Sequence, residues 1–392
     1  MVQAGAAVRL GSDVLLASGR LRGTRVGLVC NHASVDRSFR HVVDRLVQTE
    51  GVTLSCIFGP QHGFTSDVQD NMIETPHRHD EARRVPVYSL YSETREPTPD
   101  MLRDVDVLVI DLQDIGARIY TFIYTMANCL RAAARYRIPV VVCDRPNPIG
   151  GVAVEGARLV GGYESFVGQF PIPMRHGMTM GELAALFNDH FGIGASLEIA
   201  RMERWHRWMY ADDTGQPWVM PSPNMPTLDT AIVYPGTVLF EGTLLSEGRG
   251  TTRPFELVGA PWIDAEQFAG EMNALTLPGV YFRPAVFEPT FQKHAQRACG
   301  GCQVHVVDRE AFRPVLTGIA LIQTFRRLDP SSFAWRPPPY EYEREKLPID
   351  ILAGSDILRT QIESNAVPAE IAAGWQEDER AFEQARKSYL LY

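Results

Sequence analysis

Five short runs of β-branched and aliphatic residues punctuate the first part of the chain: Val26-Gly-Leu-Val-Cys30, Leu54-Ser-Cys-Ile-Phe58, Val85-Pro-Val-Tyr-Ser-Leu90, Val105-Asp-Val-Leu-Val-Ile110 and Pro139-Val-Val-Val-Cys143. They are nearly continuous in apolar character rather than alternating. That is the pattern of strands covered on both faces, and it favours a parallel sheet. Amphipathic helical patterns lie among and after them, at about 38–49, 120–136 and 179–191. Thr179-Met-Gly-Glu182 reads as a capping box that opens the last of these. Strand, helix, strand in this order predicts right-handed βαβ units. The expected fold class is therefore α/β, with a Rossmann-like, doubly wound, mostly parallel sheet and a second, smaller α/β domain.

A chain of 392 residues suits two domains. Composition changes near Trp205, where Trp205, Trp208, Tyr210 and Trp218 precede the stiff segment Pro221-Ser-Pro-Asn-Met-Pro226. Aromatics beside such loops fit the wall of a sugar cleft, where rings stack on pyranose C–H groups, and fit a domain interface equally well. Beyond Tyr234 come longer loops, a strand at Val304–Val307 and helices near 265–275, 315–327 and 377–389. The expected division is 1–232, carrying most of the site, and 233–392, closing the cleft. Pro337-Pro-Pro339 with the following Tyr340-Glu-Tyr-Glu343 reads as a rigid surface connection.

Composition removes several function classes. Thirty-eight Lys and Arg against 47 Asp and Glu leave a formal charge of −9, a poor match for nucleic-acid phosphates or anionic membranes. No stretch approaches the roughly 18 apolar residues that a membrane span needs, and the first residues do not form a signal-peptide pattern. With six cysteines that read as free thiols, the expectation is a cytoplasmic protein. Cys299-Gly-Gly-Cys302 has the spacing of half a zinc site, but no second pair accompanies it and a period-two strand follows. Packing is the simpler reading, and no metal is expected.

Polar residues gather where the strands stop: Asn31 after the first, Gln61 and His62 after the second, Asp111 and Asp114 after the fourth, and Asp144, Arg145 and Asn147 after the fifth. Ligands of open parallel sheets bind at such strand ends. There is no G-x-G-x-x-G, no P-loop and no G-x-S-x-G, so neither a nucleotide site nor an α/β-hydrolase elbow is indicated. The glycine-flanked turn Phe58-Gly-Pro-Gln-His-Gly-Phe64 leads to a loop holding Asp67, Asp70, Asn71 and Glu74. Further polar groups include Arg118 and Tyr120, Arg175 and His176, Asn224, Glu241, and Glu247 with Arg249. Carboxylates, Arg, Asn, His, Tyr and Trp without a metal set or a nucleophilic serine form the inventory of carbohydrate chemistry. A glycosidic bond needs a proton donor for the leaving oxygen and a carboxylate across the ring.

These motifs resemble the NamZ family of exo-β-N-acetylmuramidases, formerly known only as a domain of unknown function. The resemblance rests on Val26–Asn31, Phe58–Gly63, Asp111–Gly116, Asp144–Pro148, Met174–Thr179, Pro221–Asn224, Glu247–Thr251, Leu347–Asp350 and Tyr389–Tyr392, and so spans essentially the whole chain. It implies a glycoside hydrolase that releases N-acetylmuramic acid from the non-reducing end of peptidoglycan fragments, with no cofactor and a small carbohydrate as its partner. A homodimer is compatible with it. The substrate's lactyl carboxylate gives Arg145, Arg175 and Arg249 a task as a clamp; Asn31, Arg118, Tyr120, Asn147, His176, Asn224 and Glu247 complete the implied binding set.

One departure matters. The family's turn is Pro-Glu-His-Gly, and its Glu is the expected catalytic carboxylate; here the turn is Pro60-Gln61-His62-Gly63. An amide delivers no proton as an acid. Glu74, on the loop that follows, is the nearest replacement, with Asp114 and Asp111 next; Gln61 and His62 stay at the centre of the site. The alternatives are a non-catalytic cell-wall-sugar binding protein, or a hydrolase of another acidic amino sugar.

Overall fold

The computed structural model describes residues 7–66, 69 and 72–392. The five apolar runs form β1 (Arg25–Cys30), β2 (Thr53–Gly59), β4 (Val85–Ser89), β5 (Val107–Asp111) and β6 (Val140–Cys143). A short β3 (Arg78–Asp80) and β7 (Leu197–Ala200) complete a seven-stranded sheet in the order β3-β4-β2-β1-β5-β6-β7. All neighbours pair in parallel except the edge strand β3. The chain builds outward from β1 on one side and returns to start the other side at β5. The order therefore reverses between β1 and β5, the place where open sheets leave a crevice.

Successive residues of one strand feed two separate cores. Val29, Phe58, Leu108 and Ile110 belong to one apolar cluster, and Val26, Leu28, Ile57 and Val109 to another. This two-sided burial is what the continuous apolar runs encode. Helices α1 (Gly11–Ala17) and α2 (Val42–Val47) cover one face, while α3 (Phe122–Tyr136) and α4 (Met180–Asp189) cover the other. The capping box forms: Glu182 N–H donates to Thr179 Oγ1 (3.3 Å) and Thr179 N–H to Glu182 Oε2 (3.0 Å).

The second sheet is antiparallel, with β8 (Leu257–Ala260) and β9 (Val280–Phe287) flanking β10 (Cys299–Val306). Cys299 and Cys302 lie buried and unbridged in β10, as the packing reading expects. Helices α5 (Leu228–Thr237), α6 (Ala265–Ala274) and α7 (Pro314–Leu328) accompany this sheet. A methyl group on Gly236 of α5 would lie 1.8 Å from Pro314 O, so only glycine lets α5 and α7 approach so closely. Helices α8 (Pro348–Ala353), α9 (Ile357–Glu363), α10 (Pro368–Ala373) and α11 (Gln376–Arg386) bring the chain back to the first sheet. There Arg386 donates to the carbonyls of His176 and Gly177, and the Tyr392 hydroxyl donates to Asp144 Oδ2 (2.8 Å).

One sequence expectation needs correction, and a second, left open between two roles, is resolved in part. Tyr340 and Glu341 are 1% and 3% exposed, so the segment after the prolines is an interior strap rather than a surface connection. Among the crowded aromatics, Trp205 packs edge-on against Tyr392 and Tyr210 donates to Arg309 O, which is an interface role. No helix among the described residues is long and apolar enough to cross a membrane.

Candidate active site

Gly59 ends β2, and the chain reverses at once: Gly63 N–H donates to Pro60 O (3.0 Å), with His62 at φ +68° and Gly63 at φ +76°. The turn points Gln61 inward. Its Oε1 accepts from the Thr121 hydroxyl just before α3 (2.8 Å), and its Nε2 donates to Glu341 Oε1 (3.2 Å). The other oxygen of Glu341 accepts from the Tyr91 hydroxyl (3.0 Å). No cation pairs with this carboxyl among the described residues. Burial pushes it up to about 7; the Tyr91 and Gln61 donors work against the shift, and the negative charge of Glu241 adds to it.

Glu241 has the opposite environment. Its Oε1 accepts from Arg249 Nη2 (2.7 Å) and its Oε2 from the Tyr340 hydroxyl (2.6 Å). Burial raises this carboxyl, but Arg249, Tyr340 and Lys293 outweigh burial and hold it below the ordinary range. Glu247 sits behind, ion-paired with Lys293 and 3.6 Å from Arg249 Nε. Two neighbouring buried carboxyls are thus shifted in opposite directions, an arrangement that lets one hold a proton while the other stays ionised.

These groups share one chamber, open to solvent, whose walls include Gln61, His62, Tyr120, Asn224, Tyr234 and Arg249. Glu241, Tyr340 and Glu341 line it too. It brings together the β2 turn, the lead-in to α3, the proline loop before α5, the segment after α5 and the strap.

The remaining residues named from sequence lie elsewhere. Glu74 is half exposed, ion-paired with Arg95 (3.3 Å) and bonded to the Tyr342 hydroxyl (3.1 Å), outside the chamber. The structure therefore does not bring the first-ranked acid to Gln61. Asp111 is committed to a buried ion pair with Arg145, and Asn31 ties β1 to the β5 loop through Gln113 O (3.1 Å). Asn147 holds Met178 O (3.0 Å), and Arg175 donates to Ile149 O (2.6 Å). Asp114 accepts from Gly116 N–H (2.7 Å) and stands 3.7 Å from His176 Nε2. Arg118 donates to Leu352 O (2.8 Å) and lines a separate cavity. Asp67, Asp70 and Asn71 lie outside the described residues. No group of His, Cys, Asp and Glu among the described residues could hold a metal ion.

The chain's relatives carry the same architecture. A chain from Bacteroides fragilis NCTC 9343, described as a DUF1343 family protein, superposes with a TM-score of 0.90 at 34% identity, over 99% of this chain and 100% of that one. A second DUF1343 family protein from the same organism gives 0.73 at 27% identity, with 99% of each chain covered. The profile for the N-terminal part of the exo-β-N-acetylmuramidase NamZ matches residues 26–229, and that for its C-terminal part matches 232–392. The chain belongs to the NamZ family. The peptidoglycan β-N-acetylmuramidase NamZ of Bacillus subtilis strain 168 is 46% identical over 387 residues, 98% of this chain and 91% of that protein.

In this chamber of a NamZ-family chain, the buried Glu341 is a residue that sequence reasoning did not single out. Its signal was present: an acidic residue wedged between Tyr340 and Tyr342 is too apolar a setting for a solvated connector.

Proposed function

We propose that this chain is an exo-β-N-acetylmuramidase in which Glu341 is the general acid. The observation that carries the assignment is the Glu341 carboxyl, buried in the chamber wall with no ion pair among the described residues and pushed up to about 7 by burial, against the opposing charge of Arg249. In that state it delivers its proton to the leaving glycosidic oxygen as the bond from C1 breaks, and water adds at C1 with its proton passing to the Glu341 carboxylate left behind. Glu241, held ionised by Arg249 and Tyr340, is the negative charge that stabilises the oxocarbenium-like ring. Of the arginines named for the lactyl carboxylate, Arg249 alone faces the chamber; Arg145 and Arg175 are spent on Asp111 and Ile149 O.

The test compares two substrates. On a β-N-acetylmuramyl disaccharide, Glu341→Gln should lower kcat by roughly 10²–10⁴-fold. A nitrophenyl β-N-acetylmuramide, whose leaving group needs no proton, should lose far less. Equal losses on both, or undiminished activity, would remove Glu341 from the role. Gln61 in place of the family's carboxylate favours a second reading, a protein that binds wall sugars without cleaving them. Wild-type turnover of the disaccharide excludes it; calorimetric binding without turnover supports it.

A further inference from the structure

The loop between β9 and β10 is held in an unfavourable backbone form. Within five residues, Gln292 (φ +68°), His294 (φ +58°) and Gln296 (φ +59°) all take the left-handed conformation without being glycine. Side chains resist that region, so it persists only where the surroundings impose it, and such sites gather where a chain does chemistry. Here the surroundings are the chamber's own loops. Thr290 donates twice to Gly250 O, through its N–H and its hydroxyl (2.9 Å each), and His294 Nε2 bonds to Leu244 O (2.7 Å). Between these anchors the loop delivers Lys293.

Lys293 Nζ donates to Phe240 O (2.9 Å) and Thr243 O (3.1 Å), which bracket Glu241 in the chain, and stands 2.5 Å from Glu247 Oε2. Arg249 lies between two carboxylates, 2.7 Å from Glu241 and 3.6 Å from Glu247. Those three residues alone would carry one uncompensated negative charge, and the guanidinium would be divided between the two carboxylates. Lys293 balances the group. Its side chain is only 15% exposed, so water screens the effect weakly. The other groups that face Glu241 are Tyr340 and Glu341 from the strap and Tyr234 from α5, while Arg336 faces Lys293. Among the described residues, Lys293 and Arg249 are the cations paired with Glu247.

Resting on the hydrolase reading above, we propose that Lys293 is a positioning residue for the reaction: by neutralising Glu247 it leaves Arg249 to Glu241, the charge that stabilises the oxocarbenium-like ring. Lys293 stands outside the chamber lining and acts through these neighbours.

The experiment records kcat/KM against pH for a β-N-acetylmuramyl disaccharide, together with melting temperatures, in the wild type, Lys293→Gln and the K293Q/E247Q double variant. The acid limb reports Glu241 taking up a proton, and the alkaline limb Glu341 losing its own. K293Q should raise the acid limb by roughly one pH unit and leave the alkaline limb in place. The second change removes the charge that Lys293 serves. The double variant should therefore return the acid limb towards the wild type and recover most of the melting temperature that K293Q loses. A K293Q acid limb that coincides with the wild type, or activity lowered equally at every pH, would overturn the proposal and leave Lys293 a structural part. So would a double variant that keeps the displaced limb. If K293Q does not fold, recovery of a folded protein in the double variant supports the proposal, and no recovery overturns it. A wild type that turns over no muramide would defeat the hydrolase reading instead; the melting temperatures would still decide whether Lys293 serves Glu247.

Discussion

At the scale of single residues, the site turns on an amide standing where a carboxylate is expected. The sequence displays Gln61 plainly, but not its consequence. Proximity along the chain pointed to Glu74, whereas folding delivers Glu341 from 280 positions away. Nothing in periodicity or spacing encodes a contact of that span. Two substitutions probe the arrangement through the alkaline limb of the pH–rate profile, which should fall near 7 as Glu341 loses its proton. The Tyr91 hydroxyl stabilises the ionised form, so Tyr91→Phe should move this limb upward by about one unit. A limb that stays in place would separate Tyr91 from the titrating group. Gln61→Glu sets a second carboxyl against Glu341, and two such groups cannot both ionise freely. Its profile should also extend to higher pH, as the pair retains one proton longer.

At the scale of elements, the strands were legible because burial on both faces leaves a continuous apolar run, and each such run became a strand within a few residues of its expected ends. The helices read less well in extent. The segment expected at 38–49 is helical only over Val42–Val47, because Asp36 gathers the N–H groups of Ser38 and Arg40 into a turn first. The polar strand ends were equally visible, yet they divide into two kinds that the sequence does not separate. The β2 end opens into the chamber, while the ends of β1, β5 and β6 lock together through Asn31, Asp111 and Arg145. The capping box offers the cleanest test at this level. Thr179 caps α4 and also donates to Asp144 Oδ2 (2.9 Å). Thr179→Ala should therefore cost roughly 1–2 kcal/mol in urea denaturation, and Thr179→Ser should recover most of it.

At the scale of the whole molecule, the last residue closes the fold onto the first sheet, and the closure is titratable. Asp144, at the end of β6, accepts from the N–H groups of Arg145 and Gly181 at one oxygen and from the Thr179 and Tyr392 hydroxyls at the other. Burial pushes Asp144 up to about 7, the Gly181 bond opposes this, and the charge of Glu182 adds to it. Glu341 is raised to a similar value. A carboxyl raised by folding is protonated in the native state while already ionised in the unfolded chain. The native state then binds more protons between about pH 4 and 7, and stability falls as pH rises through that window and levels off above it. Glu241 and Asp36, lowered by folding, act in the reverse sense, and their contribution is lost as pH drops below about 4. Through these two carboxyls the melting temperature should be higher near pH 5 than near pH 8, while His41 and His294, lowered by burial, act in the reverse sense over part of that window. The amide of Asp144→Asn can keep the same partners if the two hydroxyls turn to accept, and Glu341→Gln likewise removes the charge without the shape. The D144N/E341Q double variant should therefore show a much smaller difference between pH 5 and pH 8 than the wild type. If the two proteins show the same difference, the burial of these two carboxyls is not what sets the pH dependence of the fold.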